Sequence, residues 1–335
     1  MTTINYSTLA PRRWRLERQQ IPFLATLIVC ILLYISAGMM YDAFFSPRVL
    51  VNLVNDSAFL GVVAIGMTFV ILSGGIDLSV GSIVACTGIT IASLVTHAQW
   101  HPLAAIALVL TGGVIVGTIS GSLIHFFTLP PFLVTLGGLF FFRGLALVIS
   151  DRAININHDF YRAAASIALP LGGGYRLPLP AMLFLALFVI AVLVSLFTRF
   201  GRNVYAVGGS EPSALLMGLP VARTKVGVYA LSGFCAALGG VILSLYKSSG
   251  RPLDAVGMEL DAIAAVVVGG TLLTGGVGYV AGTLLGILIF AIIQMAIVFD
   301  GTLNSWWTPI VVGGLLLAFI LLQKLLQFGK AQQSG

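Results

Sequence analysis

Long apolar runs, separated by short polar or proline-containing segments, fill nearly the whole sequence. The hydrocarbon core of a bilayer is about 30 Å thick, and a helix needs about 20 apolar residues to cross it. The pattern therefore predicts an all-α polytopic membrane protein with about ten transmembrane helices. The predicted helices cover residues 21–41, 53–73, 79–96, 103–124, 131–150, 179–198, 225–247, 259–273, 279–298 and 306–326.

The distribution of Lys and Arg predicts the orientation, because cytoplasmic helix ends are enriched in basic residues. With an even number of helices, both termini lie on one side, which carries Arg12, Arg13, Arg15, Arg18, Arg199, Arg202, Arg223, Lys225, Lys324 and Lys330. The other side has only Arg48, Arg152, Arg162, Arg176, Lys247 and Arg251. We expect a basic cytoplasmic tail at 1–20, a transmembrane domain at 21–326 with a cytoplasmic loop at 199–224, and a cytoplasmic tail at 327–335.

Composition excludes an ordinary soluble domain, which carries about a quarter charged residues. Here 59% of residues are hydrophobic, 8% are charged and the mean hydropathy is +1.07. The net charge of +6 does not indicate nucleic-acid binding, because the basic residues are scattered and form no stripe. The three cysteines lie singly in apolar runs, without metal-ligand or redox spacing.

An internal repeat interrupts two of the apolar regions in the same way. The segment 71–83 aligns with 272–284 at a constant offset of 201, and each has a glycine pair followed by small residues. The pairs are Gly74 with Gly75, and Gly275 with Gly276. Glycine-interrupted helices at matching places in two halves indicate a transport pathway. A duplicated hairpin that only needs tight turns is the alternative interpretation.

The polar stretch 199–223 contains a predicted two-turn helix at 210–218. Ser210 can cap it, Glu211 and Pro212 suit its first turn, and Gly218 ends it. Leu215, Leu216 and Met217 give the helix an apolar face, which could dock into a partner's groove or lie on lipid headgroups. The candidate docking residues are Ser210, Glu211, Pro212, Ser213, Leu215, Met217 and Gly218.

Three segments carry a resemblance to a known family. The stretch 199–223 resembles the coupling region of bacterial ABC permeases for ribose, xylose, arabinose and related sugars. Residues 69–82 resemble the signature between the second and third helices of that family, and 259–278 resemble its carboxy-terminal signature. The resemblance covers roughly residues 45–325. It implies a membrane-spanning permease subunit of an ATP-driven sugar importer in the bacterial inner membrane.

The resemblance also implies partners and a cargo. The partners are two copies of a cytosolic ATPase, a second permease chain and a periplasmic sugar-binding protein. Within the family, residues 156–158 and 299–307 are similar to the permease of the galactofuranose importer. This implies galactofuranose or galactose as the sugar and a pair of non-identical permeases. The sequence lacks the G-x-x-x-x-G-K-[ST] phosphate loop, so we expect no enzyme activity here, with ATP and Mg²⁺ on the partner ATPase.

Several residues could line or gate the pathway. Asp77 could gate the exit or only cap the third helix, and Glu259 and Asp261 could stand at the substrate mouth or only complement a helix dipole. Arg143 could face the pathway or extend to the headgroups. The full candidate set is Ser73, Gly74, Gly75, Asp77, Ser79, Arg143, Glu259, Asp261, Thr274, Gly275 and Gly276.

Three other classes compete with this interpretation. A secondary transporter usually carries intramembrane acidic residues or ion sites, of which this sequence has few. A channel subunit would have similar hydropathy but would not need the 210–218 helix. A membrane-embedded enzyme is disfavoured because no metal motif or nucleophile–base spacing is present.

Overall fold

The computed structural model describes residues 21–302, 304 and 306–331, with side chains from 23 to 321 within those ranges. Most of this chain is helical. The helices are α1 (Ile21–Met40), α2 (Pro47–Asp56), α3 (Ala58–Leu72), α4 (Val80–Thr96), α5 (Pro102–Phe126), α6 (Pro131–Ile149), α7 (Asp159–Ser166), α8 (Leu179–Phe197), α9 (Arg199–Gly209), α10 (Glu211–Leu216), α11 (Val221–Lys247), α12 (Met258–Val268), α13 (Val280–Asp300) and α14 (Trp307–Ala331).

Each of the ten predicted apolar segments overlaps at least one of these helices, but several helices differ in length from the predicted ones. Among the described helices, six are long and apolar enough to span a membrane, and α2 with α3 would make a seventh, bent by 55°. Helix α12 has 11 residues and rises only about 16 Å, so it does not cross a bilayer by itself. The protein is a polytopic helical membrane protein, whereas the count of ten spans stays a prediction.

Other differences concern helix ends. Helix α12 ends at Val268 and not at residue 273, because two glycines follow and Gly270 has a φ of +94°. Helix α11 begins at Val221, directly after a proline. Helix α14 continues to Ala331, so the first residues of the predicted 327–335 tail are helical. The predicted tail at 1–20 and residues 332–335 lie outside the described residues.

Helix α11 forms the centre of the bundle and packs against α3, α4 and α5. Its contact with α5 is close because small residues face each other. A Cβ on Gly113 would lie 2.7 Å from Ala237 Cβ, and a Cβ on Gly121 would lie 2.8 Å from Val226 Cα. Close approach of this kind is how helices associate in lipid, where the hydrophobic effect does not drive them together.

The long connection 151–178 carries the described strands β1 (Ile154–Asn155), β2 (Ala168–Gly172) and β3 (Tyr175–Pro178). Strand β2 forms an antiparallel hairpin with β3, and β1 pairs with β4 (Ser249–Gly250) after the end of α11. Tyr161 of α7 and Ser244 of α11 hydrogen-bond through their hydroxyls at 3.0 Å. These contacts attach the connection to the end of α11 that is opposite α9 and α10.

Candidate functional site

The two glycine-containing helix breaks are in direct contact. Gly74 and Gly275 occupy the same left-handed conformation, with φ of +83° and +82°, which glycine adopts without strain. The backbone N–H of Gly276 donates to the carbonyl of Leu72 at 2.9 Å. A Cβ on Gly275 would lie 2.8 Å from the backbone of Gly74. Segments about 200 residues apart in the sequence therefore form one backbone junction, which we call the break junction (residues 72–75 and 274–276).

The break junction also contacts the end of α9. A Cβ on Gly208 would overlap the carbonyl oxygen of Leu72 and lie 2.7 Å from the nitrogen of Gly276. The hydroxyl of Tyr205 donates to the carbonyl of Gly278 at 3.0 Å. Thr198 caps the start of α9, because its hydroxyl accepts a hydrogen bond from the Gly201 N–H at 3.1 Å. Helix α9 was not predicted from the sequence, although its cap residue Thr198 and its terminal glycine pair can be read there.

Helix α10 follows α9 after a single residue. Ser210 Oγ accepts from the Ser213 N–H at 3.4 Å, Pro212 lies in the first turn, and Gly218 follows the helix with a φ of +74°. Glu211 forms an ion pair with Lys225 of α11, with Oε2 and Nζ 2.6 Å apart. The cap sets the start of α10, and the ion pair fixes this helix to α11.

The apolar side chains of α10 and its end face outward. Leu215, Leu216 and Met217 are 65%, 90% and 67% exposed, while Ala214 is buried against Val207 and Val221. Three adjacent exposed apolar side chains form a patch that either a partner protein or lipid headgroups could cover.

Asp77 lies beyond the break junction, buried between α4 and α11. Its Oδ1 accepts from the backbone N–H of Ser79 at 3.0 Å and from the Ser79 hydroxyl at 2.6 Å. Its Oδ2 accepts from the hydroxyl of Ser232 at 2.7 Å. Within the described part of the chain Asp77 forms no ion pair. These three bonds hold the start of α4 and link the break to α11, and Ser232 was not anticipated from the sequence.

The remaining candidates surround the start of α12. Arg143 of α6 donates from Nη1 to the carbonyls of Pro252 and Asp254, each at 2.8 Å. It therefore holds the loop before α12. One carboxylate oxygen of Glu259 is buried without a hydrogen-bond partner and lies against Gly81 of α4. The first turns of α4 and α12 thus meet there.

The structure separates the predicted pathway residues into two groups. Ser73, Gly74, Gly75, Thr274, Gly275 and Gly276 lie at the break junction, with Asp77 and Ser79 next to it. Arg143, Glu259 and Asp261 lie around the first turn of α12. No group of three or more His, Cys, Asp or Glu side chains that could hold a metal ion occurs among the described residues.

The family profile described as "Branched-chain amino acid transport system / permease component" matches residues 49–320. The chain belongs to this permease family. It is 47% identical over 307 residues to the inner membrane ABC transporter permease protein YjfF of Escherichia coli (strain K12), covering 92% of this chain and 93% of that protein. The resemblance to ABC permeases of the ribose, xylose and arabinose type is confirmed. The prediction that the chain is a transport component and not an enzyme is confirmed as well.

The names of two further relatives include a sugar. The chain is 36% identical over 332 residues to the fructose import permease protein FruG of Bifidobacterium longum (strain NCC 2705), covering 97% of each chain. It is 38% identical over 309 residues to the ribose import permease protein RbsC of Bacillus subtilis (strain 168), covering 90% of this chain and 92% of that protein. No solved structure matches the chain significantly.

Proposed function

We propose that this chain is the permease subunit of an ATP-driven importer of a neutral monosaccharide, with α10 as the element that couples it to the ATPase. The observation that carries the coupling proposal is the contact of Gly208 with both sides of the break junction. Because only Ser210 separates α10 from α9, a movement of α10 would also move α9. Through Gly208, the movement of α9 would reach both helix breaks. The ion pair of Glu211 with Lys225 offers a second route, through α11 and Ser232, to Asp77.

The proposed partners follow from the family and from the exposed surfaces. A cytosolic ABC ATPase would take the apolar side chains of α10. A second permease, which we propose to be a different chain, would pack against this one, and a periplasmic sugar-binding protein would deliver the sugar. The remaining apolar surface would face lipid of the inner membrane. Only 11% of the residues in the apolar span of α6 are buried within the chain. Most of this helix is therefore free to contact lipid or the second permease.

The two clusters divide the proposed pathway into a mouth and an exit gate. Arg143 and Glu259 lie where α4 and α12 begin, and a short helix that starts inside a membrane protein commonly marks a substrate site. The break junction, with Asp77 behind it, lies at the α9 end and would open when α10 moves. Ser73, Ser79 and Thr274 would offer hydroxyl groups that exchange hydrogen bonds briefly with a passing sugar.

Cysteine labelling tests the proposed orientation, with both termini and α10 in the cytoplasm. Ser166 and Ser210 are both exposed, and the three native cysteines are buried, so background labelling should be low. In intact cells without their outer membrane, Ser166→Cys should react with an impermeant maleimide, whereas Ser210→Cys should react only after the membrane is permeabilised. The opposite labelling pattern would show that the termini and α10 lie on the periplasmic side.

The proposed cargo is galactose in its furanose form. A pathway with few fixed charges suits a neutral solute, and weak hydroxyl sites favour release. The choice of sugar rests on the resemblance at 156–158 and 299–307. Deleting this chain should reduce uptake of labelled galactose at least about tenfold at low sugar concentration, where affinity limits transport. Unchanged galactose uptake together with lost ribose or xylose uptake would refute this sugar and retain the permease.

A further inference from the structure

A cavity of about 790 Å³ lies between the start of α12, the second half of α13 and the start of α14. Most of its lining is apolar and includes Phe290 and Leu316. Three side chains with hydrogen-bonding groups, Asp261, Gln294 and Thr308, line it together with the indole of Trp306. The cavity is larger than a monosaccharide requires, and the 75% exposure of Trp306 indicates that it is open beside this ring.

The polar groups of this cavity have unused hydrogen-bonding capacity. Within the described chain, neither the Asp261 carboxylate nor the Gln294 amide has a hydrogen-bond or ion-pair partner, whereas Asp77 has three donors. An unpaired carboxylate against an apolar wall is unfavourable, because nothing replaces the hydrogen bonds that it makes with water. A lipid acyl chain would suit the apolar wall but would leave this carboxylate unsatisfied. The polar groups therefore favour an occupant that donates hydrogen bonds.

We propose that this cavity is a binding subsite for the transported monosaccharide, an inference that rests on the proposed function. Sugar hydroxyls would donate to the Asp261 carboxylate, which as a charged acceptor makes stronger hydrogen bonds than a neutral one. Gln294 offers both a donor and an acceptor, and Trp306 presents an apolar face to the C–H side of a sugar ring. Asp261 lies on α12, and α12 leads into the second helix break, which belongs to the proposed gate. A sugar bound in the subsite would therefore contact a helix that ends at this gate.

Protection of a cysteine from labelling tests the subsite without depending on sugar transport. Val298 lines the cavity and is 73% exposed, so Val298→Cys should react readily with a small maleimide. The assay uses the purified complex of this chain with its partner permease and ATPase, without the binding protein. A site with a Kd of about 1 mM is about nine-tenths filled at about 10 mM galactose, so labelling should slow about tenfold. Ser166→Cys, outside the cavity, is the matched control and should label at an unchanged rate.

A second variant links the protection to the carboxylate. Adding Asp261→Asn to Val298→Cys should remove most of the protection at the same galactose concentration, with the complex still assembled and Ser166→Cys labelling unaltered. Unchanged Val298→Cys labelling in a preparation that still performs ATP-driven galactose uptake would refute the subsite and leave the proposed function standing. Protection by ribose but not by galactose would support the subsite and refute the proposed cargo.

Discussion

Replacing Gly208 by alanine should reduce coupled transport at least about tenfold, while the chain still inserts into the membrane. The new Cβ would overlap the Leu72 carbonyl oxygen and press on the nitrogen of Gly276, so α9 would have to move away from the break junction. Overpacking of a tight contact typically costs about 1–3 kcal/mol. We expect ATP-driven uptake by the reconstituted importer to fall at least about tenfold, which corresponds to about 1.4 kcal/mol.

The adjacent glycine provides a matched control for this substitution. A Cβ on Gly209 would meet no atom within 4 Å, so Gly209→Ala changes the same helix end without entering the junction. This variant should transport at close to the native rate. If Gly208→Ala transports as well as Gly209→Ala, the contact of α9 with the two breaks has no role in coupling.

A charge on the apolar patch of α10 should prevent the ATPase from binding. Leu215 is 65% exposed, so Leu215→Asp should fold normally, but the new carboxylate would have to be desolvated in the partner's groove. Leu253, beyond the opposite end of α11, is 64% exposed and supplies the control. In affinity purification from membranes, Leu215→Asp should recover at most about a tenth of the ATPase, whereas Leu253→Asp should recover the native amount.

Comparing Leu215→Asp with Leu253→Asp shows which surface of the chain binds the ATPase. Equal recovery by both variants would exclude α10 as the docking element. It would favour the alternative in which α10 lies on lipid headgroups. Loss of recovery in Leu253→Asp alone would place the ATPase at the other end of the molecule and reverse the proposed orientation.

The sequence predicted most of the apolar helices because a bilayer imposes a length and an apolar composition on every span. It also predicted a short helix at 210–218, which the structure has at 211–216 and whose cap, first-turn proline and terminal glycine are local signals. Helix α9 was missed because three glycines and several polar residues disfavour a helix in that segment. Its stability comes from the Thr198 cap and from packing, and packing is not visible in local sequence.

Contacts between distant segments were the least predictable part of the site. The alignment of 71–83 with 272–284 suggested that the two breaks are similar, but not that Gly276 donates to Leu72. Arg143 was expected either to face the pathway or to extend to the headgroups, whereas its guanidinium holds two backbone carbonyls of the loop before α12. Such pairings depend on how helices cross in three dimensions, and no single-segment pattern encodes them.

The energy source of uptake tests the central claim most directly. The chain is purified with its partner permease and ATPase, placed in liposomes, and supplied with the binding protein and labelled galactose. The proposed function predicts accumulation that requires ATP on the ATPase side and is insensitive to ionophores that dissipate proton and sodium gradients. Accumulation by this chain without the ATPase, driven by such a gradient, would contradict it and identify a secondary transporter.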